Sequence, residues 1–106
     1  MTKLKYQLFD SATDTSPGTG PVKELQLRRG DIGLIQIQIT GGTALVNIEG
    51  RLHSSMPWSE LASFDETDMD AQKSDSLLQA IRLCHEVRCN VIEETGDPDI
   101  KVFLQE

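Results

Sequence analysis

Two histidines and two cysteines are the residues best suited to supply a catalytic base or nucleophile, and their spacing does not favour catalysis. Cys84 and His85 are sequence neighbours, so on a strand their side chains would point to opposite faces of the sheet. Neither Cys84 nor Cys89 has a metal-ligand spacing to His53. The chain also lacks a nucleophile elbow, a phosphate-binding glycine loop and a zinc-protease motif. We therefore predict a protein that is not an enzyme, with no catalytic residues and with both cysteines reduced and unpaired.

A dense run of carboxylates at residues 65–70 is the stretch most similar to a cation-binding loop. Its alternate carboxylates follow the spacing of calcium ligands, but Ala71 stands where an EF-hand loop needs glycine and Leu77 where it needs glutamate. The sequence therefore predicts a solvated acidic loop and no metal or cofactor. Calcium binding by this loop is the alternative that the sequence leaves open.

Trp58 is the single tryptophan and could serve as a core side chain, a sugar platform or a partner contact. A lone tryptophan most often fills a core, and Trp58 with Leu61 could close one end of a β-sandwich. As a sugar platform, Trp58 would combine with the acidic residues at 65–70. As a partner contact, it would act together with the neighbouring Met56.

Composition and charge restrict the class of protein. The 106 residues suit one domain, and a 38% hydrophobic content suffices for one core. A net charge of −7 would repel nucleic acid, which makes nucleic acid a poor partner. No apolar run approaches the length of a membrane-spanning helix, so we also expect no membrane partner.

Alternating apolar residues, interrupted by glycine- and proline-containing turns, predict an all-β chain. Residues 3–9 and 87–93 alternate as half-buried strands do, whereas the stretches near 10–21 and 62–76 lack periodicity and are expected to be long loops. No alternation of strands with helices appears. We predict one antiparallel β-sandwich over residues 1–106, jelly-roll-like, with seven or eight strands.

Two β-hairpins are predicted from turn chemistry. Gly41-Gly42 lies between two alternating runs, which favours a two-residue turn and a register in which one face is apolar. The second hairpin would turn at Thr95-Gly96-Asp97-Pro98. The predicted pairs are Ile39 with Ala44, Ile37 with Val46, and Ile35 with Ile48 in the first hairpin, and Glu93 with Ile100, Val91 with Val102, and Cys89 with Leu104 in the second.

Two shorter segments have competing interpretations. Residues 77–83 are predicted to be a strand, although 76–86 partly fit a helical period. Arg29-Gly30-Asp31 is formally an integrin-type tripeptide, but a tight turn before a strand is the simpler interpretation.

The N-terminal strand is a candidate for an intermolecular contact. It carries Leu4, Tyr6 and Leu8 on one side, and a long polar stretch separates it from the rest of the chain. Such a tether would let the strand pair with the sheet edge of a neighbouring subunit. Pairing within its own sandwich is the alternative. The candidate interface residues are Leu4, Tyr6, Leu8, Met56 and Trp58.

Four segments resemble small β-sandwich structural proteins of tailed bacteriophage virions, such as capsid decoration or cement proteins. They comprise a strand ending in Glu-Gly, a Trp-x-x-Leu segment, an arginine-containing strand and a terminal alternating strand. In sequence they are Val46-Asn47-Ile48-Glu49-Gly50-Arg51, Pro57-Trp58-Ser59-Glu60-Leu61, Val87-Arg88-Cys89-Asn90-Val91 and Ile100-Lys101-Val102-Phe103-Leu104. The pattern is shared with jelly-roll sugar-binding domains and carries over no catalytic residue.

This resemblance implies a non-enzymatic virion structural protein that decorates or cements a capsid. Its partners would be the major capsid protein or another virion protein, in a homo-oligomer or high-copy assembly. The expected location is the virion, after synthesis in the host cytoplasm. A carbohydrate-binding module and a head–tail or tail component are the alternative functions.

Overall fold

The computed structural model of the chain describes residues 5–25, 32–65, 67–68 and 76–105. These residues form two packed layers of β-strands, as the alternating sequence predicts. The strands are β1 (Lys5–Asp10), β2 (Gly18–Thr19), β3 (Lys23–Glu24), β4 (Ile32–Thr40), β5 (Thr43–Arg51), β6 (Ser59–Phe64), β7 (Ser76–Arg82), β8 (Glu86–Thr95) and β9 (Asp99–Gln105).

The strand order is that of a jelly roll. Sheet A has the order β1-β9-β4-β7, and sheet B has the order β2-β8-β5-β6, with β3 also pairing with β8. Because β2 and β3 both lie along β8, together they occupy one strand position. Along the chain, the resulting eight positions switch sheets at every link except the one from β5 to β6, as in a jelly roll built from two Greek keys. The predicted all-β, jelly-roll-like sandwich is therefore confirmed.

The link at Gly41-Gly42 crosses from one sheet to the other, so the hairpin predicted there is wrong. β4 pairs with β7 and β9, whereas β5 pairs with β6 and β8. Ile37 lies opposite Val102 of β9, and its predicted partner Val46 lies opposite Val91 of β8. The link is an arch that joins the two layers.

A second arch, at Thr95-Gly96-Asp97-Pro98, joins β8 of sheet B to β9 of sheet A. The hairpin predicted at this position is also wrong, since Cys89 pairs with Ile48 and Leu104 pairs with Ile35. The reason is physical: the inner faces of both sheets meet in one core, so a hairpin and an arch bury the same side chains. Alternation identifies the inward residues and leaves their hydrogen-bonded partners undetermined.

The two arches lie side by side and require glycine. Thr43 pairs with Thr95 at the end of sheet B, and Thr40 pairs with Asp99 at the end of sheet A. A Cβ atom on Gly42 would lie 2.4 Å from the carbonyl oxygen of Thr95, which a side chain cannot tolerate. Gly41 and Gly96 have φ values of +80° and +81°, in the region that favours glycine.

The core lies between the sheets and consists of the alternating residues that the sequence places inward. All six residues predicted to be buried around the first arch are buried. The buried apolar side chains are Leu8, Phe9, Leu25, Ile35, Ile37, Ile39, Ala44, Val46, Ile48, Phe64, Leu77, Ile81, Val87, Cys89, Val91, Ile100, Val102 and Leu104. Their close packing is the main source of stability for a domain of this size.

The N-terminal strand pairs within its own sandwich. β1 pairs with β9, and Tyr6 lies opposite Leu104 on the inner side of sheet A. The register shifts between Gln7 and Phe9, so Leu8 is an extra residue in the strand, which is the arrangement of a β-bulge. The bulge allows the consecutive residues Leu8 and Phe9 both to be fully buried. Of the two arrangements considered for this strand, the structure therefore has the intramolecular one.

The remaining sequence predictions have mixed outcomes. β7 confirms a strand near 77–83 and rules out the helical alternative. The stretch at 10–21, expected to be a loop throughout, contains β2, and β6 extends into the predicted loop at 62–76.

Arg29-Gly30-Asp31 lies outside the described residues. Within the described residues, no helix has the length and apolarity to cross a membrane.

Ile37 provides a test of the core. It is fully buried at the centre of β4, so Ile37→Ala should lower the free energy of unfolding by about 2–5 kcal/mol through lost burial and the remaining cavity. Gln38→Ala, on the exposed side of the same strand, is the matched control and should change it by less than about 0.5 kcal/mol. Chemical denaturation measures both values. Equal effects of the two variants would contradict the assigned inward face.

Candidate protein-interaction site

Trp58 lies on the outer face of sheet B, not in the core. It directly precedes β6, and its ring centroid is 4.2 Å from the guanidinium carbon of Arg51 and 4.4 Å from that of Arg88. Both arginines are on outward positions of adjacent strands, β5 and β8. The interpretation of Trp58 as a core plug is wrong, because a ring this close to two cations gains cation–π attraction while staying half-exposed. Leu61 does pack against the core.

The two arginines are held by glutamates directly across the ladder. Arg88 Nε donates to Glu49 Oε1 at 2.7 Å, and Arg51 Nε donates to Glu86 Oε2 at 3.2 Å. These pairs match the backbone register of β5 with β8. Asn90 Nδ2 donates to the second oxygen of Glu49 at 3.2 Å. The Trp58 cluster, defined as Trp58, Arg51, Arg88, Glu49 and Glu86, is therefore charge-balanced and internally bonded.

The cluster does not form the sugar site considered from the sequence. Trp58 precedes one end of β6 and Asp65 follows the other end, so about seven residues of extended chain, roughly 23 Å, separate them. Two guanidinium groups already contact the ring of Trp58. Among the described residues, no group of three or more potential metal ligands comes together, although part of the run at 65–70 lies outside them.

The outer face of sheet A carries a different kind of surface, in which large apolar side chains are open to solvent. We define the sheet-A apolar face as Ile32, Leu34, Leu78 and Phe103, whose exposed fractions are 55%, 39%, 59% and 44%. The register brings them together, since Gln36 pairs with Leu78 on one side and with Phe103 on the other. A shallow groove of about 340 Å³ runs between Leu34, Leu78 and Phe103.

Among the residues that the structure describes, no carboxylate lies in the middle of this face. The chain has 17 acidic residues, yet neither β4 nor β7 contains one. On β9 the single carboxylate is Asp99, which lies beside the arch and away from Phe103. Arg82 and Lys101 provide positive charge on β7 and β9. An apolar and amide-rich face whose described centre lacks carboxylates, on a chain of charge −7, is typical of a protein contact surface.

The structure places the predicted interface residues at separate locations. Leu4 lies outside the described residues, Tyr6 is half-buried and Leu8 is fully buried in the core. Met56 is 54% exposed in the segment between β5 and β6, and Trp58 belongs to the Trp58 cluster. None of the four described residues is part of the sheet-A apolar face.

Sequence reasoning missed the sheet-A apolar face, although a signal for it was present. Leu34, Leu78 and Phe103 each stand beside an inward apolar residue, so each breaks the alternation of its strand. A strand with one solvated face normally has a polar residue at such a position. The wrong hairpin prediction placed β4 beside β5, which concealed that Leu34 lies near Phe103 on the adjacent β9.

His53, Cys84 and Cys89 differ in their surroundings. His53 Nδ1 lies 2.8 Å from Ser55 Oγ and also accepts the backbone N–H of Ser55 at 3.1 Å, so it stabilises a local exposed turn. Cys89 is buried, and desolvation raises the pKa of its thiol. Cys84 is half-buried, and its thiol lies 3.4 Å from the carbonyl oxygen of Glu86. Neither cysteine forms a disulfide.

Comparison with protein-family models, with curated protein sequences and with solved structures found no match to this chain. Two features distinguish the surface: the internally bonded Trp58 cluster on sheet B and the open sheet-A apolar face. Of these two features, only the second consists of large apolar side chains that are open to solvent.

The cysteines should react at different rates. Burial raises the pKa of both thiols, so both are protonated and slow to react at neutral pH in the folded protein. Cys84, which is only half-buried, should be modified well before Cys89 by a thiol reagent at pH 8, and denaturant should reveal two thiols. Peptide mapping identifies the modified residue. Faster labelling of Cys89, or an intact mass two units low, would contradict this arrangement.

Removing the ring of Trp58 should measurably weaken the outer side of sheet B. Trp58→Leu should lower the free energy of unfolding by about 1–2 kcal/mol, since two cation–π contacts are lost. Arg88→Lys is the partner change for a double-mutant cycle, because lysine keeps the charge and loses the planar group. A coupling of about 0.5 kcal/mol or more between the two changes is expected. Strictly additive effects would show that Arg88 and Trp58 do not interact.

Proposed function

We propose that this chain is a non-enzymatic structural protein of a tailed bacteriophage virion, which binds the capsid through the sheet-A apolar face. The observation that carries this proposal is the exposure of Leu34, Leu78 and Phe103 on a face without central carboxylates. Such a face suits a stable contact with another protein. The jelly-roll order of the strands supports the proposal, because this fold is frequent among capsid proteins.

Burial of this face supplies part of the free energy of docking. Full burial of one Leu, Ile or Phe contributes about 1.5–3 kcal/mol, so completing the burial of a half-exposed side chain contributes about 1 kcal/mol. Four such side chains contribute about 4 kcal/mol in total, which only equals the lower end of the cost of association, about 4–15 kcal/mol, so further contacts must supply the net affinity. A modest affinity is adequate for a protein present in many copies, particularly where adjacent copies also touch and binding becomes multivalent.

The rest of the surface supports a role in coating. Among the described residues, most carboxylates lie away from the sheet-A apolar face; Glu60, Glu93 and Asp97 are examples exposed elsewhere. A particle covered by such chains would present negative charge outward, which opposes aggregation. The segments that resemble virion proteins supply Phe103 and every member of the Trp58 cluster except Glu86. The Trp58 cluster would keep sheet B rigid while sheet A binds.

The test is particle binding by matched variants. The chain is co-expressed with the major capsid protein of the same genome, and assembled particles are separated on a density gradient. The unmodified chain should co-migrate in stoichiometric amount. Phe103→Thr removes a docking side chain but keeps strand propensity. It should weaken the affinity about tenfold for each 1.4 kcal/mol of binding free energy lost, and so reduce the amount bound to particles. Ile92→Thr, which removes a 45% exposed side chain from β8, is the control and should bind normally.

Two outcomes would contradict the proposal. Absence of the unmodified chain from every particle fraction would exclude a virion role. Equal binding by Phe103→Thr and Ile92→Thr, with both variants folded by circular dichroism, would exclude the sheet-A apolar face as the docking surface. Co-migration with tails and not with heads would instead identify a tail or head–tail component.

A further inference from the structure

β7 is an edge strand that lacks the usual protection against pairing with another chain. In the described part of the protein it pairs only with β4, through seven residues in unbroken register from Ser76 to Arg82. The other three sheet edges are interrupted. β1 contains a bulge at Leu8, β6 has a register shift that leaves Leu61 as an extra residue, and the β2–β3 edge consists of two-residue strands separated by Pro21. Bulges, short strands and proline all discourage edge pairing.

The sequence of β7 is self-complementary in polarity. It reads Ser-Leu-Leu-Gln-Ala-Ile-Arg, a palindrome of polar, apolar, apolar, polar, apolar, apolar and polar residues about Gln79. A twofold interface needs this property, because each residue must suit the residue that the symmetry places opposite it. An unrelated partner would impose no such palindrome.

We infer that β7 pairs antiparallel with β7 of a second copy, on a twofold axis at Gln79, so that two sheets A form one continuous sheet. In this register Leu77 lies opposite Ile81 of the second copy on the inner side. Leu78 lies opposite Ala80 on the outer side, and Arg82 lies opposite Ser76. Apolar residues therefore face apolar residues and no like charges meet, which favours cross-strand pairing.

Other registers fit less well. Moving the axis to Leu78 places Leu77 opposite Gln79, and moving it to Ala80 places Ile81 opposite Gln79. The absence of carboxylates from β4 and β7 also allows two chains of charge −7 to approach at this edge. Gln79 and Ala80 are exposed in the single chain, so both are accessible to a second copy. The pairing concerns the isolated chain and goes beyond capsid binding.

The test is a charge exchange on the symmetry axis. The full chain should have twice the 11.8 kDa monomer mass in sedimentation equilibrium at tens of micromolar. Gln79→Lys places two lysines directly opposite each other, with Cβ atoms about 5 Å apart, and should give monomers through charge repulsion, as should Gln79→Glu with two carboxylates. An equimolar mixture of the two variants should restore a heterodimer. Gln7→Lys, at the opposite edge of sheet A, is the control and should remain dimeric.

The register of the β7–β7 pairing can be tested separately by disulfide formation. Gln79→Cys should form an intermolecular disulfide on mild oxidation, because residues directly opposite in antiparallel strands have Cα atoms within disulfide range. Ser76→Cys should not, since position 76 lies opposite position 82. A monomeric unmodified chain at millimolar concentration, or a dimer that persists in both charged variants, would overturn the inference. Capsid binding by the Phe103 test is scored separately, so either proposal can fail alone.

Discussion

Burial of two apolar sheet faces against each other is the constraint on which the rest of this structure depends. In the described residues, β5 and β6 are the only consecutive strands that pair with each other. The link from β2 to β3 stays along β8, and every other link crosses to the opposite sheet. Neither sheet can therefore form alone from local contacts. Such topologies have high contact order, so we expect one cooperative and comparatively slow folding transition.

The arches follow from this constraint. Each arch must carry the chain across the thickness of the core, from one sheet to the other. Its flanking residues must also form the terminal ladder pairs, which are Thr40 with Asp99 in sheet A and Thr43 with Thr95 in sheet B. The close packing of Gly42 against the Thr95 carbonyl shows that the two arches are built as a unit. The bulges at Leu8 and Leu61 act at the edges in a related way, since each adds an inward side chain where alternation alone would expose it.

The two outer faces differ in how many contacts their side chains make with one another. On sheet B, Trp58, the arginines and the glutamates contact each other, so this face has few unsatisfied groups for a ligand. On sheet A, Phe103 and Leu78 flank the neutral Gln36 and remain half-exposed. Phe103 is therefore a large aromatic side chain that is incompletely buried within the single chain, although aromatic residues are only 5% of the sequence.

The sequence by itself determined which residues are buried, because the alternation of Ile35, Ile37 and Ile39 depends only on the geometry of a strand. It also determined the all-β class and the absence of recognisable catalytic motifs. Only the tertiary structure decided the strand partners, since a hairpin and an arch at Gly41-Gly42 bury the same side chains. For the same reason the meeting of Trp58 with two arginines, and of Leu34 with Phe103, could not be read from the chain. Those contacts join residues on strands whose adjacency is set by the packing of both sheets.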